Sequence, residues 1–133
     1  MTDKTKYLLV NGLIIFALSL VIFAGGTWWR MASQYSLAEK ARARGDFTGA
    51  LAGYESAIHM YIPFHPTIEK SAERLWEMTE SNEKLGDIQR ALIACRALRS
   101  SFYSTVWLTT PGQKWIERCD KKIAALLPLQ RER

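Results

Sequence analysis

The chain opens with an apolar block, and the pattern changes abruptly at Arg30. From Tyr7 to Trp29 there are twenty-three residues without a charge, bounded by Lys6 and Arg30. At about 1.5 Å of rise per residue, a helix of that length matches the hydrocarbon thickness of a bilayer. Tyr7 at one end and Trp28-Trp29 at the other are the amphipathic rings that favour the two headgroup levels. A signal peptide's apolar core is shorter than this run, which therefore reads as a retained single-pass anchor. After Arg30 apolar residues recur every three or four positions, and no stretch alternates with period two. The pattern predicts helices over Met31–Arg44, Phe47–Tyr61, Ile68–Leu85, Ile88–Tyr103 and Pro111–Leu127. Breaks fall at Gly45-Asp46, Pro63–Pro66, Gly86-Asp87 and Ser104–Pro111. Thr110, Pro111 and Gln113 form a start signal for the last helix, with the hydroxyl as cap and Gln113 closing a capping box. The expectation is an all-α protein: a leader (1–6), a transmembrane helix (7–29), a helical domain (30–128) and a frayed tail (129–133).

Two segments inside the helical part repeat. Gly45-Asp46-Phe47 with Ala50-Leu51 three residues on is matched by Gly86-Asp87-Ile88 with Ala91-Leu92. In each, Gly ends one helix and Asp caps the next. The small Ala then permits close approach of two antiparallel helices while large neighbours fill the gaps. Helix pairs of this kind bury their faces only by stacking on a neighbour.

This pattern resembles the tetratricopeptide repeat (TPR). The first copy carries Leu37 and Ala38, then Phe47, Ala50, Tyr54 and Ala57, with Pro63 near the terminal proline. The second carries Leu75, Ile88 and Ala91, with Asn82 and Cys95 where aromatic residues are usual. The two glycines stand forty-one residues apart, against a usual period of about thirty-four. The resemblance implies a TPR-like array over Met31 to Phe102 with the last helix as its C-terminal cap. It also implies scaffolding: binding of peptides or partner subunits in a groove, with no chemistry of its own.

Net charge is +5, and removing Lys4, Lys6 and Asp3 leaves +4 on the domain, spread with mixed sign. Such a surface suits the neighbourhood of anionic lipid and lacks the basic concentration of a nucleic-acid platform. His59, His65, Cys95 and Cys119 show neither i, i+4 nor C-x-x-C spacing. No nucleophile elbow, phosphate loop or haem motif is present, so neither enzyme chemistry nor a metal or other cofactor is expected. Glu69, Glu73, Glu77, Glu80 and Glu83 form a stripe at helical spacing. It reads as a solvated face bridging to neighbouring helices, with docking of a basic partner as the alternative.

The contact candidates are Trp107 in the Ser- and Thr-rich connection Ser104–Thr110, with Tyr103 and Phe64 in the same aromatic cluster. In the anchor, Gly12, Ser19 and Gly26 fall seven apart on one line beside Asn11, which suits close packing against another transmembrane helix. Cys95 and Cys119 lie equally far from position 107. An antiparallel hairpin then sets them level, and a disulfide there implies an oxidising compartment.

The expected function is an adaptor or accessory subunit of an inner-membrane complex such as a translocon, a respiratory assembly or a Tol/Exb-type motor. Its partners are the bilayer and other membrane subunits, and its soluble domain is periplasmic. The alternatives are a cytoplasm-facing docking receptor for client peptides and a metal-binding or enzymatic subunit.

Overall fold

A computed structural model of the chain describes residues 2–106 and 109–132. Among these residues it is all-helical, with five helices in the order α1 (Asp3–Ala43), α2 (Phe47–His59), α3 (Pro66–Lys84), α4 (Ile88–Tyr103) and α5 (Gln113–Arg131). The chain divides into two compact units, one up to Arg30 and one from Met31 onward.

In the first unit, α1 is long and apolar enough to cross a membrane. Its large side chains, among them Leu8, Phe16, Ile22 and Phe23, are exposed. The hydroxyls of Ser19 and Thr27 donate to the carbonyls of Ile15 and Phe23 at 2.8 and 2.9 Å, so both are satisfied inside the helix. One helix, α1, covers both the apolar run and the segment expected as a separate helix over Met31–Arg44, and no proline interrupts it.

The second unit is built around two turns of the same geometry. Gly45 and Gly86 adopt left-handed φ values of 76° and 79°, a conformation that glycine takes without a steric penalty. The N–H of Gly45 donates to the Arg42 carbonyl and that of Asp46 to the Ala41 carbonyl, at 3.0 and 2.9 Å. Gly86 and Asp87 repeat this with Glu83 and Asn82, at 3.0 and 2.8 Å. These are the paired bonds of a Schellman motif. Each aspartate then accepts from the first turn of the following helix, Asp46 from the Gly49 N–H and Asp87 from the Arg90 N–H. Two residues thus stop one helix and start the next.

Contacts across the turns show the packing direction. Ala38 meets Gly53, Ala41 meets Gly49, and the Tyr35 and Tyr54 rings lie 5.7 Å apart, so the second part of α1 runs antiparallel to α2. Helices α4 and α5 also run antiparallel, with Cys95 beside Cys119 and Phe102 against Gly112. By contrast, Glu39 pairs with Arg74 and Arg42 with Glu77, while Glu69 pairs with Lys114 and Glu83 with Lys122. Residue numbers rise together in both sets. The part of α1 after Met31, α3 and α5 therefore lie parallel in one layer. Helix α2 packs on α3 and α4, and α4 on α3 and α5.

The core is rich in alanine: Ala38, Ala50, Ala57, Ala72, Ala91 and Ala94 are buried with Tyr54, Leu75, Leu98 and Phe102. Ala91 belongs to a smaller cluster with Ile88, Leu92 and Leu126, which ties α4 to α5.

Helix ends differ from the sequence expectation at the connections. Helix α2 stops at His59 rather than Tyr61. Helix α3 begins at Pro66 rather than Ile68, because the His65 side chain caps it. The Thr110 capping box does not form. Gly112, at φ 73°, is the N-cap of α5, and Gln113 donates instead to Glu117 at 3.2 Å. Helix α5 also continues through Pro128 to Arg131, beyond the expected end at Leu127. A proline so near the C-terminus forfeits one backbone bond and leaves the final turn standing.

Gly53 gives a direct check on this packing. A Cβ there would lie 2.6 Å from Ala38 Cβ and 3.0 Å from both the Ala38 Cα and the Gln34 carbonyl oxygen, so backbone must move to admit it. Alanine gains about 1 kcal/mol in helix propensity, while overpacking costs about 1–3 kcal/mol. Gly53→Ala should therefore lower stability by up to about 2 kcal/mol in denaturant titration. Gly26→Ala, which meets nothing within 4 Å, should leave the domain's transition unchanged.

Candidate functional site

The parallel layer presents a groove of about 340 Å³ lined by Glu69, Glu73, Trp76, Glu77, Lys114, Trp115 and Arg118. Its base is aromatic. The Trp76 and Trp115 rings lie 6.4 Å apart at 50°. The Arg118 guanidinium sits 4.3 Å from the first ring centre and 4.8 Å from the second, so one cation covers both faces. Trp115 is buried, and its indole N–H donates to Glu69 Oε2 at 3.3 Å. Glu69 Oε1 takes the Lys114 ammonium. The side of the groove toward α1 is a ladder in which Arg42 and Arg74 share Glu77 Oε2, both at 3.0 Å.

Arg74 also reaches Glu39 Oε1 at 2.9 Å, and that oxygen accepts from the Tyr54 hydroxyl. Burial alone would push the Glu39 carboxyl up. The Tyr54 hydroxyl and the Arg74 guanidinium outweigh it and hold the group below the usual carboxylate range. Burial and the Glu39 carboxylate push Tyr54 up, so its hydroxyl stays protonated as a donor. Hydrogen bonds to Tyr35 and Glu77 keep Arg74 charged.

The acidic stripe is thus partly exposed and tied to neighbouring helices at three of its five positions. Glu69, Glu77 and Glu83 bridge to α5 or α1, while Glu73 and Glu80 take no ion pair among the described residues. Glu73 is exposed on the groove wall.

The other sequence candidates are dispersed. Asn11, Gly12, Ser19 and Gly26 are exposed on α1, with open space beside both glycines. Trp107 lies outside the described residues. Tyr103 is half-exposed beneath the Arg99 guanidinium, 4.5 Å from its ring centre. Phe64 is fully exposed, at a positive φ of 66°.

Cys95 and Cys119 are buried free thiols in facing helices, the Cys95 sulfur 3.7 Å from the Cys119 carbonyl oxygen. The hydrogen bond with the Cys95 sulfur, together with burial, pushes the Cys119 thiol up. His59 and His65 do not share a ligand cluster: among the described residues no three His, Cys, Asp or Glu side chains converge on a metal-sized site. The Trp76–Arg118–Trp115 stack was not anticipated. Its one local signal is the three-residue spacing of Trp115 and Arg118 on α5; the rest depends on α3 lying alongside.

Comparison with protein-family models, with curated proteins and with solved structures finds no match for this chain.

His65 carries a pH dependence. It is buried, and its Nδ1 accepts the Thr67 N–H at 3.1 Å, which requires the neutral ring. Burial lowers its pKa, so the unfolded chain takes up the proton first as pH falls. The stabilisation is complete above the ordinary histidine value of about 6.5 and is lost progressively below it. Between pH 7.5 and 5.5 the stability of the domain should therefore fall, as read by denaturant titration across that range. His65→Asn keeps a capping acceptor without a titrating ring. It should flatten that part of the stability–pH curve.

Proposed function

We propose that this chain is a non-enzymatic, membrane-anchored, TPR-like adaptor that binds other subunits of an inner-membrane complex. What supports the family reading is the recurrence, not merely the helical content. Two Gly-Asp turns share one hydrogen-bond pattern, and the first helix of each pair lies parallel to the next, with α5 completing the layer. Stacked hairpins of this sort leave one layer of first helices open to a ligand. The uncharged run 7–29, with its large apolar side chains exposed, supports the anchor, because such a surface is stable only in lipid or against another apolar helix.

The observation that carries the adaptor role is the groove itself. It joins two tryptophans, a stacked arginine and an unpaired exposed carboxylate, a composition suited to anchoring a partner segment that places a cation at Glu73. Translocons, respiratory assemblies and Tol/Exb-type motors are the complexes whose accessory subunits this layout suits.

The test is purification of the full chain in mild detergent with identification of co-eluting subunits. Glu73→Lys reverses charge at an exposed site, so it should reduce co-elution at least tenfold without moving the melting transition. Equal recovery of partners by the variant would refute the groove as the contact. The same preparations report sidedness. A bonded Cys95–Cys119 pair in non-reducing mass spectrometry supports a periplasmic domain. Two free thiols support the cytoplasm-facing docking receptor instead.

A further inference from the structure

The two ends of the helical domain differ in chemistry. In the parallel layer, Glu39 is level with Arg74 and Arg42 with Glu77, the same offset in both pairs. Carried back along both helices, this register sets Met31 level with Pro66. The antiparallel course of α2 brings Met60 to that same end. The connection before α5 arrives there too, since Phe64, His65 and Pro66 line one groove with Phe102, Pro111 and Gly112. The opposite end holds the Gly-Asp turns and is charged, with Arg44, Asp46, Lys84, Asp87 and Arg90.

At the Met31 end the two connecting segments are uncharged. From Met60 to Ile68, and from Ser100 to Gln113, the sequence contains no Asp, Glu, Lys or Arg. What it exposes instead is apolar or amphipathic: Phe64 at 103 %, Tyr103 at 49 % and Val106 at 41 %. Phe64 is the sharpest feature. Its backbone sits at φ 66°, a region that bulky side chains rarely adopt, and its ring projects wholly into the surroundings. In water both the strain and the exposure are unfavourable, and neither helps the core. Beside it lies a groove of about 390 Å³ with Tyr61 and Ile68 in its lining, and at its edge the mutually neutralising pair Glu69 and Lys114. Strain and exposure that serve no packing within the domain point to an outside contact.

We propose that this end of the domain rests in the headgroup layer of the bilayer, with Phe64 inserted among the lipids. The inference rests on the reading of residues 7–29 as a membrane span. Met31 follows Arg30 directly, so no linker separates the domain's first residue from that run. Uncharged loops rich in Ser, Thr and Tyr, with an aromatic ring standing out, are suited to the interface, where a polar tip and an apolar body are both accommodated. The absence of carboxylates in both connections removes repulsion from anionic lipid.

The test uses the unmodified full chain in nanodiscs of phosphatidylglycerol and a phosphatidylethanolamine bearing a diazirine in its headgroup. After photolysis, adducts are mapped by mass spectrometry. The proposal requires adducts at the ends of the 7–29 run and within residues 60–66, with none at residues 44–47 or 85–88. Phe64→Asp, at a fully exposed site, should cut the adducts within 60–66 at least tenfold and spare those at the span. Adducts at the span with none within 60–66 would overturn the proposal and leave the anchor intact. Absence of adducts from both would overturn the anchor reading as well.

Discussion

The helical domain depends on how closely its helices approach, and glycine and alanine set that distance. Where Gly53 faces Ala38 the two backbones come so near that not even a methyl group fits between them. Buried alanines at positions 50, 57, 72, 91 and 94 extend this tight packing through the core. Dispersion forces fall off within an ångström or so of separation, so a core with few large side chains holds only at such close range. The ion-pair ladder of Arg42, Glu77, Arg74 and Glu39 follows from that approach. Each member stands on a helix surface about a third exposed or more, where a pair alone contributes little. Once α1 and α3 are held parallel, the ladder sets their register, and the Tyr54 hydroxyl links it to α2.

The same register assembles the groove. Trp76 belongs to α3, and Trp115 and Arg118 to α5; they meet because Glu69 with Lys114 and Glu83 with Lys122 hold those helices in step. The layer thus has a stiff side, laced by charges on α1 and α3, and an aromatic side that retains one uncommitted carboxylate, Glu73. The proposed adaptor role would use this division between a rigid frame and a surface with free valence.

Much of the architecture was legible in the residue order, because its determinants are local. Gly-Asp followed by a large apolar residue marks both turns, and α4 begins and ends where the periodicity places it, at Ile88 and Tyr103. The apolar run near the N-terminus needs only length and composition. What escaped was decided by tertiary contact. Gly112 displaces Thr110 as the start of α5 because the Phe102 ring packs where any side chain at 112 would stand. The glutamate stripe, by contrast, reads in sequence as a partly solvated face with bridges to neighbouring helices, and Glu69, Glu77 and Glu83 form such bridges.

The central claim is that small residues allow the second part of α1 and α2 to touch backbone to backbone, and that the parallel layer is built from there. Nuclear Overhauser spectroscopy on the full chain, with alanine methyls selectively labelled, addresses this contact directly. A strong cross-peak between the Ala38 methyl and the Gly53 α-protons is the expected result. Helical chemical shifts at both residues with no such cross-peak would contradict the account, since the two helices would then exist without the contact on which their packing depends.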